Sequence, residues 1–155
     1  MLAVLVAPFL SAAQQAPSSI EVPQGMHLLF NAKGDGAQVY GCVGGKWTLK
    51  APDARLLDAK GNVIGSHFAG PAWKLTDGSQ VKGKAIGTKA PADSTSVPWL
   101  LLQAVPGSGS GKLAQVAYIR RTETHGGAAP QSACTSGETR VPYTAMYSFY
   151  TKSAQ

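Results

Sequence analysis

An all-β domain, a single antiparallel β-sandwich or barrel of about ten short strands with few or no helices, is the fold this sequence predicts. Three observations carry that expectation. The 18 glycines and 10 prolines are spread along the whole chain and interrupt any long regular segment. No stretch sustains the apolar period of an amphipathic helix. Short runs alternate apolar and polar residues between turn signals; in the last of them Val141, Tyr143, Ala145, Tyr147 and Phe149 fall on one face.

Taken in order, the first strand is expected at His27–Asn31, with Lys33-Gly34-Asp35-Gly36 as the turn that follows. Gln38–Val43 and Lys46–Lys50 flank Gly44-Gly45, a pair that reaches positive φ without steric cost, so a tight hairpin is predicted there. A second hairpin is read at Ala54–Asp58 and Val63–Gly65 around Lys60-Gly61-Asn62, and a third at Ala72–Leu75 and Val81–Gly83 around Thr76-Asp77-Gly78-Ser79. The two share the spacing Leu57, Val63, Gly65 and Leu75, Val81, Gly83, which convergent turn chemistry explains more simply than an internal repeat. Trp99–Leu102 is apolar on both faces and suits a buried strand, Pro106–Gly111 is a flexible connection, and Ala114–Glu123 and Val141–Tyr150 complete the set.

Leu2–Leu10 is an uncharged apolar run followed by the small residues Ser11-Ala12-Ala13, the arrangement a signal peptidase reads. The run is about half the roughly 20 residues that a bilayer-spanning helix needs. We therefore expect a signal peptide over residues 1–16, a single all-β domain over 17–155, no membrane span after cleavage, and a secreted or periplasmic location. No Lys or Arg precedes the apolar run, so the start is read as truncated. Cys42 and Cys134 are the only cysteines, 92 positions apart, and an exported chain with one such pair is expected to join them.

The 14 Lys and Arg residues outnumber the 8 Asp and Glu, for a net charge of +6. The basic residues are scattered, which argues against a nucleic-acid partner and for a solvated surface with mild attraction to anionic envelope or wall glycans. Gly107–Lys112 lacks the glycine and hydroxyl residue that a phosphate loop requires at its ends, and no Gly-x-Ser-x-Gly elbow occurs. His27, His67 and His125 stand apart from one another, so no metal site or cofactor is predicted.

Two segments concentrate polar side chains, glycines and aromatics without a core period. One is the corner Gly65–Trp73, with His67 and Trp73; the other is the strand exit Arg121–Pro130, with Thr124 and His125. Alternation along Val116–Arg121 places Arg121 with Ala117 and Ile119, and Arg120 with Val116 and Tyr118. One arginine must then share a face with apolar residues, and it needs a carboxylate such as Asp53 or Asp77, or a bound anion. The candidate ligand-binding residues are His67, Trp73, Arg121, Thr124, His125 and Tyr40, and His67 and Arg121 are expected to border one cavity.

The runs Gln38–Cys42, Trp47–Ala54, His67–Trp73, Asp77–Ser79, Pro98–Leu102, Arg121 with Thr124, Gly126–Pro130, Cys134, Val141–Ala145 and Tyr147–Tyr150 give the chain a resemblance over about residues 20–151. It resembles the secreted domain-of-unknown-function family 3455, found in bacteria and fungi. The resemblance implies export and one domain, and it supplies no established activity. Members sometimes carry a malate dehydrogenase label, for which this chain has neither a Gly-x-Gly-x-x-Gly fingerprint nor a βαβ pattern.

The leading functional expectation is a non-enzymatic, exported binding or surface-associated module for a small molecule or an envelope glycan, with aromatic area from Tyr40, Trp47, Trp73, Trp99 and the C-terminal tyrosines. The rival is an extracellular hydrolase or metal-assisted oxidoreductase in which His67 works with Asp77, Glu123 or His125. A structural or stress-related coat protein, which would self-associate, is the third reading.

Overall fold

The computed structural model describes residues 19–106 and 109–152. The expected leader and Gly107-Ser108 of the glycine-rich connection lie outside the described residues. Eight strands make the fold: β1 (His27–Val43), β2 (Lys46–Leu57), β3 (Val63–Phe68), β4 (Ala72–Leu75), β5 (Gln80–Lys89), β6 (Trp99–Val105), β7 (Val116–Gly126) and β8 (Glu138–Thr151). Each pairs antiparallel with the next, and β8 closes back on β1, giving an up-and-down barrel with no free sheet edge. One 3-10 turn, Lys112–Gln115, precedes β7.

The expected strand count is corrected from about ten to eight, because the expected strands Lys46–Lys50 and Ala54–Asp58 merge into one, β2, and because Lys33-Gly34-Asp35-Gly36 is no turn. Those four residues run straight through β1, paired with Leu57–Ala54 on one side and Met146–Tyr143 on the other. The glycines serve close approach. A Cβ on Gly34 would sit 2.5 Å from the Tyr147 ring, and one on Gly36 would sit 2.2 Å from the Asp53 carbonyl oxygen. Gly44 and Gly45, by contrast, turn the β1–β2 hairpin with φ of 57° and 80°.

The β2–β3 and β4–β5 turns share one chemistry. The Asp58 carboxylate accepts from the Lys60 and Asn62 amides, and the Asp77 carboxylate accepts from the Ser79 amide. Both hairpins thus use an Asx turn, although Asp58 directly follows Leu57 whereas Asp77 lies two residues after Leu75. Inside the barrel, Leu56, Leu102, Ile119, Tyr147, Phe149 and Trp73 pack with almost no exposure. Leu113 plugs the end where the chain termini of the barrel lie, its amide donating to Ser79 Oγ while the Lys112 amide donates to Asp77.

The opposite end is built by loops. Cys42 and Cys134 are joined, with their Cα atoms 5.9 Å apart, and this bond ties the 127–137 loop to the β1–β2 hairpin. Backbone hydrogen bonds Cys42 to Gly137 and Cys134 to Gly45 flank it. Ahead of β6, the segment Ser96-Val97-Pro98 crosses this end as a strap. Ser96 bridges to Gly127, the Val97 amide donates to the Gly126 carbonyl, and the Ala128 amide donates to the Thr95 carbonyl.

Candidate functional site

Beneath this strap the barrel interior turns from apolar to polar. His67 on β3 stands beside Ala54 on β2 and Trp73 on β4, so the small Ala54 leaves room for its ring. The imidazole stacks on the Trp73 indole, centroids 4.4 Å apart, and leans on the Tyr147 ring at 5.0 Å. Its Nδ1 lies 2.8 Å from the Ala72 carbonyl oxygen. A carbonyl only accepts, so the neutral ring carries its proton on Nδ1. Burial depresses the His67 pKa to about 4, with the nearby Arg121 charge adding to the effect and the Ala72 hydrogen bond opposing it. His67 is therefore neutral at physiological pH.

Tyr143 and Tyr147, two turns of the pleat apart on β8, bring their hydroxyls within 3.0 Å of each other. Burial pushes both phenols up from their ordinary value, so both stay protonated. Arg121 completes the group. It stands opposite Tyr147 and Leu100 in the sheet and so faces the interior, while Arg120 stands opposite Ser148 and Leu101 and faces outward. The Arg121 Nε and one terminal nitrogen donate to the Pro98 carbonyl of the strap at 3.0 and 2.7 Å. Its charge also acts on Tyr40, His67, Tyr143 and Tyr147.

The expected carboxylate partner of Arg121 is corrected. Asp53 pairs with Arg140 on the outer surface, and Asp77 lies in the β4–β5 turn at the other end. Among the described residues Arg121 forms no ion pair. It holds a backbone carbonyl and phenols instead.

Tyr40 donates from its hydroxyl to the Gly127 carbonyl, and Thr124 from its Oγ1 to the Val97 carbonyl, so both fasten the loops that cap this end. His125 points outward and is exposed, because β7 bulges between Thr122 and His125 with Glu123 at φ 50°. The bulge shifts the inward face from Arg121 to Thr124. The structure thus gathers His67, Trp73, Arg121, Thr124 and Tyr40 at one end of the barrel and leaves His125 outside. No hydrogen bond or ion pair joins His67 to the acid–base partners considered for it, Asp77, Glu123 and His125. Two buried polar atoms here lack a partner among the described residues, Gln38 Oε1 and Trp73 Nε1. Gln38 lies against the site of Gly127, where a Cβ would come 3.2 Å from its Cγ and 2.7 Å from Tyr143 Cβ.

Sequence reasoning passed over Gln38, and it assigned Tyr143 and Tyr147 to the core face without seeing that their hydroxyls meet. A spacing of four between tyrosines in a strand, which stacks them on one face, was the available signal.

The model of the family described as "Protein of unknown function (DUF3455)" matches residues 23–151. The chain belongs to the DUF3455 family. The match spans all eight strands, both cysteines and every interior residue of the polar end. Comparison of this DUF3455 chain with curated proteins and with solved structures gives no match. Among its described residues, no helix is long and apolar enough to cross a membrane, and no group of three or more His, Cys, Asp or Glu side chains forms a metal cluster.

Proposed function

We propose that this protein is an exported, non-enzymatic binding module, and that the Arg121 end of its barrel receives a small molecule or glycan terminus bearing a carboxylate or phosphate. One observation carries the reading: an inward-facing guanidinium is surrounded by neutral groups and has no carboxylate counterpart among the described residues. A fixed cation in a partly desolvated setting is completed by an anion, and a guanidinium fork fits planar or tetrahedral oxyanions with paired hydrogen bonds. Tyr143 and Tyr147 hold their hydroxyls in the buried layer at the same end, and the stacked Trp73 and His67 rings form its floor.

Binding is favoured over catalysis by the state of His67. Its Nδ1 is engaged by a backbone carbonyl, and its basicity is far below what a general base at neutral pH needs. The disulfide fits an oxidising compartment, which supports export.

The test is a thermal-shift titration with acetate, glucuronate, inorganic phosphate and uncharged glucose. At least one anion is expected to raise the melting temperature of the wild-type protein and of Arg140→Ala, with no effect on Arg121→Ala. Equal shifts in all three proteins, or no shift with any anion, would overturn the reading.

A further inference from the structure

On the outer wall of the barrel, a groove of about 520 Å³ runs between the segment ahead of β1 and strands β5 to β7. Its chemistry differs from that of the barrel interior. Trp99, half-buried at the start of β6, forms its aromatic surface, and the Lys89 ammonium lies 5.2 Å from the centre of that ring. Glu21, Arg120, Thr122 and Glu123 line the rest.

Three features mark it as more than a gap. The Arg120 Nε is buried and has no hydrogen-bond partner among the described residues, although the guanidinium is held 5.5 Å over the Tyr150 ring. That atom is out of a ligand's reach, and it leaves the guanidinium at the groove's edge short of its full set of internal hydrogen bonds. Glu123, at φ 50°, is the only non-glycine with positive φ among the described residues, and the β7 bulge places it along this groove. The groove's far bank depends on a glycine: a Cβ on Gly87 would fall 1.9 Å from the Ser19 carbonyl oxygen, so only glycine lets the Ser19–Glu21 segment lie there.

We infer that this groove binds a neutral saccharide chain. Two carboxylates, Glu21 and Glu123, balance two cations, Lys89 and Arg120, so the site offers no net charge to attract an ion. It does offer carboxylate acceptors and cationic donors side by side, the combination that vicinal hydroxyls satisfy as both donors and acceptors. Trp99 gives the C–H face of a sugar ring a flat surface, and the flexible Lys89 side chain swings from the indole to a hydroxyl as the sugar docks. This inference is independent of the Arg121 reading, because it uses the opposite face of β7.

The probes are β-1,4-linked glucose and N-acetylglucosamine tetrasaccharides, with an oligogalacturonide as the charged comparison, followed by tryptophan fluorescence and calorimetry. With Arg121 replaced by alanine, so that the inner face takes up no uronate, the protein is expected to bind one neutral chain at least tenfold more tightly than the oligogalacturonide. Trp99→Ala and Glu123→Gln should each weaken that binding tenfold or more, and Trp47→Phe should leave it unchanged. The Glu123→Gln arm stays informative if Trp99→Ala fails to fold. No binding of either neutral chain at millimolar concentration, tighter binding of the charged chain, or binding that survives both substitutions would overturn the inference.

Discussion

Arg120 and Arg121 are neighbours in sequence and inhabit opposite sides of one barrel wall. Arg121 points inward beneath the strap, with a carbonyl, two phenols and a neutral imidazole around it. Arg120 points outward over Tyr150, its Nε unpartnered, in a groove where acid and base are matched. The comparison teaches that a strand's alternation sorts chemistry as well as hydrophobicity. The same side chain becomes an uncompensated cation on one face and part of a balanced polar lining on the other, and the two faces should select different ligands.

The largest expected effect removes the frame that holds the inner face. Replacing Cys42 and Cys134 together with serine opens a loop of 92 residues; chain entropy puts the loss at about 4 to 5 kcal/mol, readable by urea denaturation. Because the bond fastens the loops over Arg121, the anion response should fall before saccharide binding does. Loss of both together would merge the two faces into one unit.

Next comes pH. His67 takes up a proton at about pH 4 when folded and at 6.5 as a free side chain. Between those values the unfolded chain binds more protons, so stability is complete above pH 6.5 and falls as pH drops toward 4, by about 3 kcal/mol in all. Comparing urea midpoints at pH 7 and pH 4.5 for the wild type and His67→Phe isolates this share, since the carboxylates titrate in both. An equal pH slope in the two proteins would show that the inner imidazole is not held neutral by burial.

A smaller difference separates the arginines directly. Arg121→Ala abandons two charge-assisted hydrogen bonds to Pro98 and should destabilise by about 1 to 2 kcal/mol, whereas Arg120→Ala should change stability by less than about 0.5 kcal/mol. Equal values would erase the asymmetry. Smallest of all is the exposed Lys50–Glu138 pair, at 2.9 Å with both side chains about half in solvent. Lys50→Ala should cost no more than about 0.3 kcal/mol, and less still in high salt, which sets the scale for outer-surface charges.

Much of this architecture was legible because its signals are local. Gly44-Gly45 forced a hairpin, Asp58 and Asp77 organised their turns through their own carboxylates, and the alternation of β8 named the inward row from Tyr143 to Phe149. Alternation along β7 also set Arg121 on the face of Ile119, which the sheet register bears out. Features that depend on a distant strand were hidden. Lys33–Gly36 reads as a turn until Tyr147 and Ala54 are known to press on its glycines. The strap over the interior rests on bonds from Val97 to Thr124 and Gly126, some 27 or more residues away. Likewise Trp99 reads as a core residue of an apolar strand, and only the chain segment lying across Gly87 makes a groove beside it.

The central claim, that the inner arginine is the one awaiting an anion, is tested most directly by the Nε–H resonances of the two arginines in a ¹⁵N-labelled protein titrated with glucuronate or inorganic phosphate. The Arg121 resonance should move saturably with the anion that stabilises the protein, while that of Arg120 stays in place. Movement of Arg120 alone, or no movement of Arg121 at tens of millimolar anion, would contradict the account.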